Sequence, residues 1–355
     1  MTKKAIKKKS FSLGSLKKTH SSKTKYKPTE FFDIGEAFHK ASGLPGPVKH
    51  NINMFLGHSN SSKTTALIGS AVSAIKQGYL PVFCITERKW AWDYCEKLGL
   101  EHEMVVDDEG NEVVDGMFLF NDDFQTIEQV TQYINDLLDI QEKDGMPEGP
   151  DGEPLKGYLF LWDSVGSIPC QMTFDGKGGS MHNARVFADK IGMGLTSRIS
   201  NSKREDYPYD NTMVIVNQPW VELPDNPFGQ PKIKAKGGEA IWLNSALVFL
   251  FGNQKNSGIS QIDATKDGRK VAFATKTKIS ILKNHVNGLG YKDGKIIATP
   301  HGYIEDNPLS IKKYKEEYAE YWKEVMGGEF NVKEDSKTKT KETPEDNVSG
   351  VEGLV

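Results

Sequence analysis

One stretch constrains this chain more than any other: Met54-Phe55-Leu56-Gly57-His58-Ser59-Asn60-Ser61-Ser62-Lys63-Thr64-Thr65. An apolar run ends at Gly57, a loop of small polar residues follows, and Lys63-Thr64 lead into the helix-like Ala66-Leu67-Ile68-Gly69-Ser70-Ala71-Val72. This is the strand–loop–helix layout of a P-loop. The backbone N–H groups of such a loop, together with the helix N-terminus, attract phosphate oxygens. Gly57, His58, Ser59, Asn60, Ser61, Ser62, Lys63, Thr64 and Thr65 are therefore candidate nucleotide contacts. Lys63 would reach the outer phosphates, and the Thr64 hydroxyl would ligate Mg²⁺. Ser62 stands where the pattern G-x-x-x-x-G-K-[ST] has its second glycine, and a Cβ makes the loop's backbone geometry harder to adopt. The plainer reading is a capped helix after a buried strand.

At 355 residues the chain can hold one large domain with tails, or two small ones. A hydrophobic content of 37% is enough for a core, and the balance of 45 basic to 48 acidic residues selects no partner. The distribution is uneven, however. Before Glu30 there are ten lysines and no acid, so residues 1–28 read as a disordered basic arm, either a nucleic-acid contact or a plain solvated tail. Cys84, Cys95 and Cys170 lack metal-ligand spacing and a disulfide framework. They read as buried fillers in a reducing cytoplasm. The lysine-rich N-terminus lacks the apolar stretch of a secretory signal, and no run approaches a membrane span.

The apolar runs predict strands at 52–56, 80–85, 157–164 and 211–218, with later strands near 246–252, 270–283 and 294–299. Helices are expected over 64–77, 89–98, 124–142 and about 183–201, and a strand plus hairpin within 101–122. Strands alternating with helices argue for a mainly parallel sheet, and the final strands read as antiparallel. Tyr158-Leu159-Phe160-Leu161-Trp162-Asp163 is a buried-strand run that presents a carboxylate at its C-terminal end. That is the Walker B pattern, in which Asp163 would hold the Mg²⁺ shell; taken alone it is an ordinary strand-terminal Asp. Residues 307–328 read as a C-terminal helix whose aromatic stripe packs on the core, and 329–355 as a disordered charged tail.

In this order and spacing the segments over roughly residues 30–305 resemble the RecA-type recombinases, closest in character to phage UvsX-like members. The resemblance rests on Gly43-Leu44-Pro45 before the first strand, Gly57 to Thr65, Glu87 after the second strand, Leu161-Trp162-Asp163-Ser164-Val165, Val216-Asn217-Gln218, Lys236-Gly237-Gly238-Glu239-Ala240 and Ile281-Leu282-Lys283-Asn284-His285. A non-glycine before the P-loop lysine also occurs in UvsX-like members. The resemblance implies an α/β fold: a RecA-like P-loop ATPase core at 29–306 with a mainly parallel central sheet and antiparallel C-terminal strands, flanked by disordered tails. It also implies an insertion near 101–156, and a C-terminal domain absent or shrunk to Ile311–Met326. Glu87 would activate the attacking water and Gln218 would sense the γ-phosphate. Lys283 and His285 would reach the ATP of the adjacent subunit, with His285 in place of the usual second lysine. For Glu87 the plainer reading is a solvated carboxylate beside Arg88 and Lys89, and for Gln218 a strand-end cap.

Two loops follow Walker B and the sensor strand, where that family binds single-stranded DNA. The first, about 168–183, carries Lys177, Gly178 and Gly179; the second, about 219–236, carries Trp220, Phe228, Lys232, Lys234 and Lys236 and closes on Gly237 and Gly238. Lysines neutralise phosphates, glycines allow close approach, and aromatics stack on bases. The plainer reading is two solvated connectors. The expected activity is a DNA-dependent ATPase, yielding ADP and phosphate, that forms a helical filament on single-stranded DNA and exchanges strands with double-stranded DNA in recombination and repair. Single-strand-binding and loader proteins are implied partners, and the compartment is cytoplasmic, the host's if the chain is phage-encoded. Two alternatives stay open: a hexameric RecA-core helicase, and a non-catalytic filament protein that binds single-stranded DNA with ATP as a structural ligand.

Overall fold

The structure, a computed structural model, describes residues 17–18, 23–222, 232–253, 258–266 and 269–326. In chain order the strands are β1 (Ile52–Gly57), β2 (Leu80–Ile85), β3 (Glu103–Val106), β4 (Glu112–Asp115), β5 (Leu119–Asn121), β6 (Tyr158–Asp163), β7 (Thr212–Asn217), β8 (Pro219–Glu222), β9 (Lys232–Ala235), β10 (Ser245–Phe251), β11 (Ile259–Lys266), β12 (Arg269–Asn284), β13 (Gly294–Thr299) and β14 (Gly302–Glu305). The main sheet has the order β14-β13-β12-β10-β1-β7-β6-β2-β5, with β11 paired to β12. β10, β1, β7, β6, β2 and β5 are parallel, whereas β12, β13, β14 and β11 pair antiparallel.

The central strands are apolar runs because helices cover both faces of the sheet. Side chains alternate between those faces. Met54, Leu56, Val82, Cys84, Phe160, Trp162, Met213 and Ile215 pack with the helix Ile127–Asp144 and the helical stretch after Ser180. Phe55, Phe83, Ile85, Leu159, Leu161, Val214, Phe249 and Phe251 face the helices Glu36–Ser42 and Lys63–Lys76. Helix 127–144 starts where Thr126 and Gln129 form a capping box, and it buries the expected stripe Ile127, Val130, Ile134 and Leu138. The three cysteines are buried free thiols. Among the described residues no helix is long and apolar enough to cross a membrane.

Several elements differ from expectation. The hairpin β3–β4 stands apart from the main sheet, while β5 joins its edge beside β2. The described part of the proline-rich 219–236 segment is not an open loop: β8 and β9 pair as an antiparallel ribbon. Strands β11 and β14 were not expected. The C-terminal helix is two helices, Pro308–Glu317 and Ala319–Met326, and its Tyr314 and Trp322 pack on Phe273 and Ile297 as the aromatic stripe predicts. Residues 329–355 lie outside the described residues.

Of the arm expected at 1–28, residues 1–16 and 19–22 lie outside the described residues. Residues 25–27 lie along 203–205, with Lys27 N donating to Lys203 O at 2.8 Å and Tyr26 bridging Arg204. The Lys27 amine donates to Tyr207 O at 2.9 Å and to Asp210 Oδ1 at 2.6 Å. Asp210 also accepts from the Tyr79 hydroxyl at 3.3 Å. Burial alone would raise the Asp210 carboxyl; His50 and Lys27 beside it outweigh that and hold it down at about 2. A carboxyl held below its ordinary value of 3.8 stabilises the fold above that value, and the contribution fades as pH falls through about 2. Lys27→Ala should therefore cost about 1–3 kcal/mol at neutral pH, with a smaller loss towards pH ~2, as read by urea unfolding at both ends of the range.

Candidate functional site

The parallel strands end along one edge of the sheet, and their register sets the ends side by side. Ile85 lies opposite Asp163, Trp162 opposite Ile215 and Leu56 opposite Asn217. The loops leaving this edge converge, which is where open α/β sheets bind ligands. A cavity of about 570 Å³ opens there, lined by Ser59 to Thr65, Glu87, Asp163 and Gln218. The fold thus gathers residues from four strand ends that the sequence separates by as much as 159 positions (from Ser59 to Gln218).

The loop after β1 turns tightly. A Cβ on Gly57 would come within 2.6 Å of both Phe251 O and Ser61 Oγ, so only glycine fits. Asn60 and Ser62 are left-handed, with φ of 61° and 67°, a conformation costing a side-chain-bearing residue about 1 kcal/mol or more. Ser62 thus takes a glycine-like conformation despite its Cβ. The Tyr303 hydroxyl, from β14, donates to Ser62 O at 2.6 Å and props the turn. The first helical bond is Ala66 N to Ser62 O at 3.2 Å. The N–H groups of Lys63, Thr64 and Thr65 precede it and have no acceptor within the helix. His58 serves the loop through its carbonyl, which accepts from the Lys63 amine at 2.7 Å.

Charge here is buried. Lys63 and Asp163 are each 8% exposed. Burial lowers the Lys63 amine below the ordinary lysine value, against the opposing pull of Asp163 and Glu87. Burial pushes the Asp163 carboxyl up to about 6, reinforced by the charge of Glu87 and opposed by the Thr64 hydrogen bond and by Lys63. Thr64 Oγ1 donates to Asp163 Oδ2 at 2.9 Å. A hydroxyl and a carboxylate are hard oxygen donors suited to Mg²⁺, which keeps several waters and needs few protein ligands. Among the described residues no group of three or more His, Cys, Asp or Glu could hold a metal alone, so any metal here would rest on this pair and on its ligand. Half-buried Glu87 is oriented by Ser164, whose hydroxyl donates to Glu87 Oε1 at 2.6 Å.

Several cavity residues were not anticipated. Tyr94 shares a 2.7 Å hydrogen bond with the Thr65 hydroxyl, and Lys89, Gln261, Thr275 and Thr299 line the wall. Ser164, which orients Glu87, had a signal, since it directly follows Asp163; these cavity residues carried none in their local sequence.

Lys283 and His285 do not line this cavity. The Lys283 amine donates to Trp242 O and Leu243 O, both at 2.8 Å, and so caps the helix Glu239–Asn244; His285 is exposed. Lys177 is exposed beside Asp175 at 3.9 Å, and Gly178 and Gly179 lead into helix Ser180–Phe187. Trp220 is 59% exposed on β8. Lys234 and Lys232 sit on β9 opposite Trp220 and Glu222, and Phe228 lies outside the described residues. The Lys236 amine turns inward to Gln218 Oε1 at 2.8 Å. Gly237 and Gly238 have φ of 86° and 94°, and a Cβ on Gly237 would come within 2.7 Å of Ile241 and 2.8 Å of Phe187. The double glycine therefore packs against the helix that follows the first loop.

No protein-family model matches the chain, and neither does any curated protein.

Asp163 gives the site a pH signature. Its folded value lies above the ordinary 3.8, so the folded state binds the extra proton. Its contribution to stability therefore falls as pH rises from 3.8 through about 6. Asp163→Asn keeps an acceptor for Thr64 but carries no charge. In the ligand-free protein it should raise neutral-pH stability by about 1–3 kcal/mol and flatten the melting temperature between pH ~4 and ~7. Thermal melts across that range check this.

Proposed function

We propose that the chain is an ATP-dependent DNA recombinase of the RecA type, with a P-loop nucleotide site, that assembles as a helical filament on single-stranded DNA. The observation that carries the nucleotide half is the convergence of Lys63, Thr64, Glu87, Asp163 and Gln218 in one cavity at the carboxyl edge of the sheet. Those five residues come from four separate sequence motifs, Lys63 and Thr64 sharing one. Each has a chemistry that phosphoryl transfer to water requires, chiefly positioning and charge stabilisation.

In this reading the free N–H groups at the start of helix 63–76 and the buried Lys63 ammonium hold the outer phosphates. Lys63 is already stripped of water, so its field acts at full strength on an entering anion. Mg²⁺ held by Thr64 and Asp163 would neutralise charge on the phosphate oxygens. Glu87, fixed by Ser164, orients the attacking water and accepts its proton. Gln218, half-buried at the cavity wall, donates to the terminal phosphate.

The DNA half is supported by the surface beside this edge. Exposed Lys177, Trp220 and Met181, the last 85% exposed, lie on the segments after β6 and β7. Cationic side chains with large flat or apolar ones suit a single strand, where phosphates need neutralising and bases need a stacking surface.

Lys63→Ala should abolish ATP hydrolysis, and Glu87→Gln should keep ATP binding while slowing turnover roughly 100-fold or more. ATPase assays with and without single-stranded DNA read both. Wild-type turnover in either variant removes that residue from its role, and no turnover in the wild type favours the non-catalytic filament. Negative-stain microscopy of the ATP–DNA complex distinguishes a helical filament from a closed helicase ring.

A further inference from the structure

We propose that Lys236 is a positioning residue that presets the polarity of Gln218 and ties the state of the nucleotide cavity to the β8–β9 ribbon. The inference rests on the nucleotide reading above and adds to it a residue with a defined task.

The first argument is chemical. A glutamine amide has an acceptor end and a donor end, and an ammonium can only donate. Lys236 Nζ lies 2.8 Å from Gln218 Oε1, so the oxygen of that amide must face Lys236. The NH₂ end is then the end left for a ligand, and it can only donate, as to a phosphate oxygen. Without a cation behind it, the amide would be free to turn its oxygen towards a phosphate, which repels it. Lys236 thus makes Gln218 present a hydrogen-bond donor to the cavity.

The second argument is mechanical. Lys236 is fastened to the end of β7 at three points. Its amine holds Gln218 Oε1, its N–H donates to Gln218 O at 3.2 Å, and its carbonyl accepts from Asn217 Nδ2 at 2.8 Å. Its stem crosses Gly166, where a Cβ would come within 2.9 Å of Lys236 Cδ. Gly166 opens the segment after β6 that leads to Lys177. On the ribbon side Lys236 directly follows β9, and on the other side come Gly237 and Gly238, both with positive φ. A shift of Gln218 towards or away from a phosphate therefore moves the base of the ribbon at a point where two glycines can absorb the change.

A lysine serving only as a phosphate contact would be exposed and replaceable by any cation placed nearby. Lys236 is half-buried and committed inward. Its contribution to DNA binding should consequently depend on which nucleotide is bound, because a ligand shifts a loop only through differential affinity for its states.

The test compares Lys236→Met, which keeps the apolar stem over Gly166 but removes the amine, with Lys236→Arg, which keeps a donor-only cation. Fluorescence anisotropy with a labelled oligothymidylate gives the DNA affinity with a slowly hydrolysed ATP analogue and with ADP. The wild-type ratio of the two affinities should be roughly 5 or more. It should collapse towards 1 in Lys236→Met and be largely restored in Lys236→Arg. If Lys236→Met does not fold, Gly166→Ala takes its place, since it crowds the stem while leaving every polar group intact, and the ratio should fall. A wild-type ratio in the folded test variant overturns the inference. So does a wild type that binds the analogue and DNA with no dependence of one on the other. A wild type that fails to bind the analogue at all, measured first without DNA, overturns the nucleotide reading itself.

Discussion

The site depends on charge being buried where parallel strands end. Lys63 and Asp163 lose most of their contact with water, and burial drives both towards their neutral forms. Nearby dipoles and opposite charges work against that: His58 O, Ser61 Oγ, Asp163 and Glu87 at the amine, Thr64 Oγ1 and Lys63 at the carboxylate. Such an arrangement lowers the stability of the ligand-free fold, and sites of that kind are where strongly perturbed groups gather. What makes it tolerable is the sheet beneath. Phe55, Leu161 and Trp162 are fully buried at the same strand ends, so the charged groups stand on a surface that cannot relax away from them.

The antiparallel half of the sheet is part of the same site. Tyr303 of β14 props the left-handed Ser62, and its ring packs 5.9 Å from Phe38. Phe273, Ala274 and Thr275 of β12 wall the cavity. Behind that wall, Phe273 meets Trp322 edge-on at 5.5 Å. The aromatic stripe of the C-terminal helices therefore braces the cavity from outside, which gives the small C-terminal element a structural reason to exist without a ligand of its own.

The parallel strands were legible because each is a continuous apolar run, a local property, and Lys63, Thr64, Glu87, Asp163 and Gln218 were legible because each sits at the end of such a run. What escaped were elements whose reason lies far away in sequence. β11 carries Gln261, Asp263 and Thr265 along one partner strand at the sheet's edge, and a polar edge strand has little pattern of its own. β8 begins at Pro219, which reads as loop but is allowed at the start of a two-stranded ribbon. Lys27 looked like one more arm lysine until its partner Asp210 came into view 183 positions later. Lys283 sits on β12 as expected, yet its amine caps a helix whose carbonyls no motif points to.

These long-range ties give the segment between β7 and β10 an unusual standing. β7 and β10 flank β1 on either side, so the segment bridges both neighbours of the strand that carries Gly57. It is fastened at its start, where Gln218 and Asn217 hold Lys236, and at its end, where Lys283 holds Trp242 and Leu243. Midway, Gly237 rests against Phe187. The β8–β9 ribbon forms its own small sheet outside the main one, and its base meets the core through Ala235 and Lys236. Ala235, the last residue of β9, is buried in the main core, so the ribbon is anchored there as well as at Lys236. The base of the ribbon is thus tied to the end of β7 by the Lys236 amine on Gln218, by two hydrogen bonds of the Lys236 backbone and by the burial of Ala235.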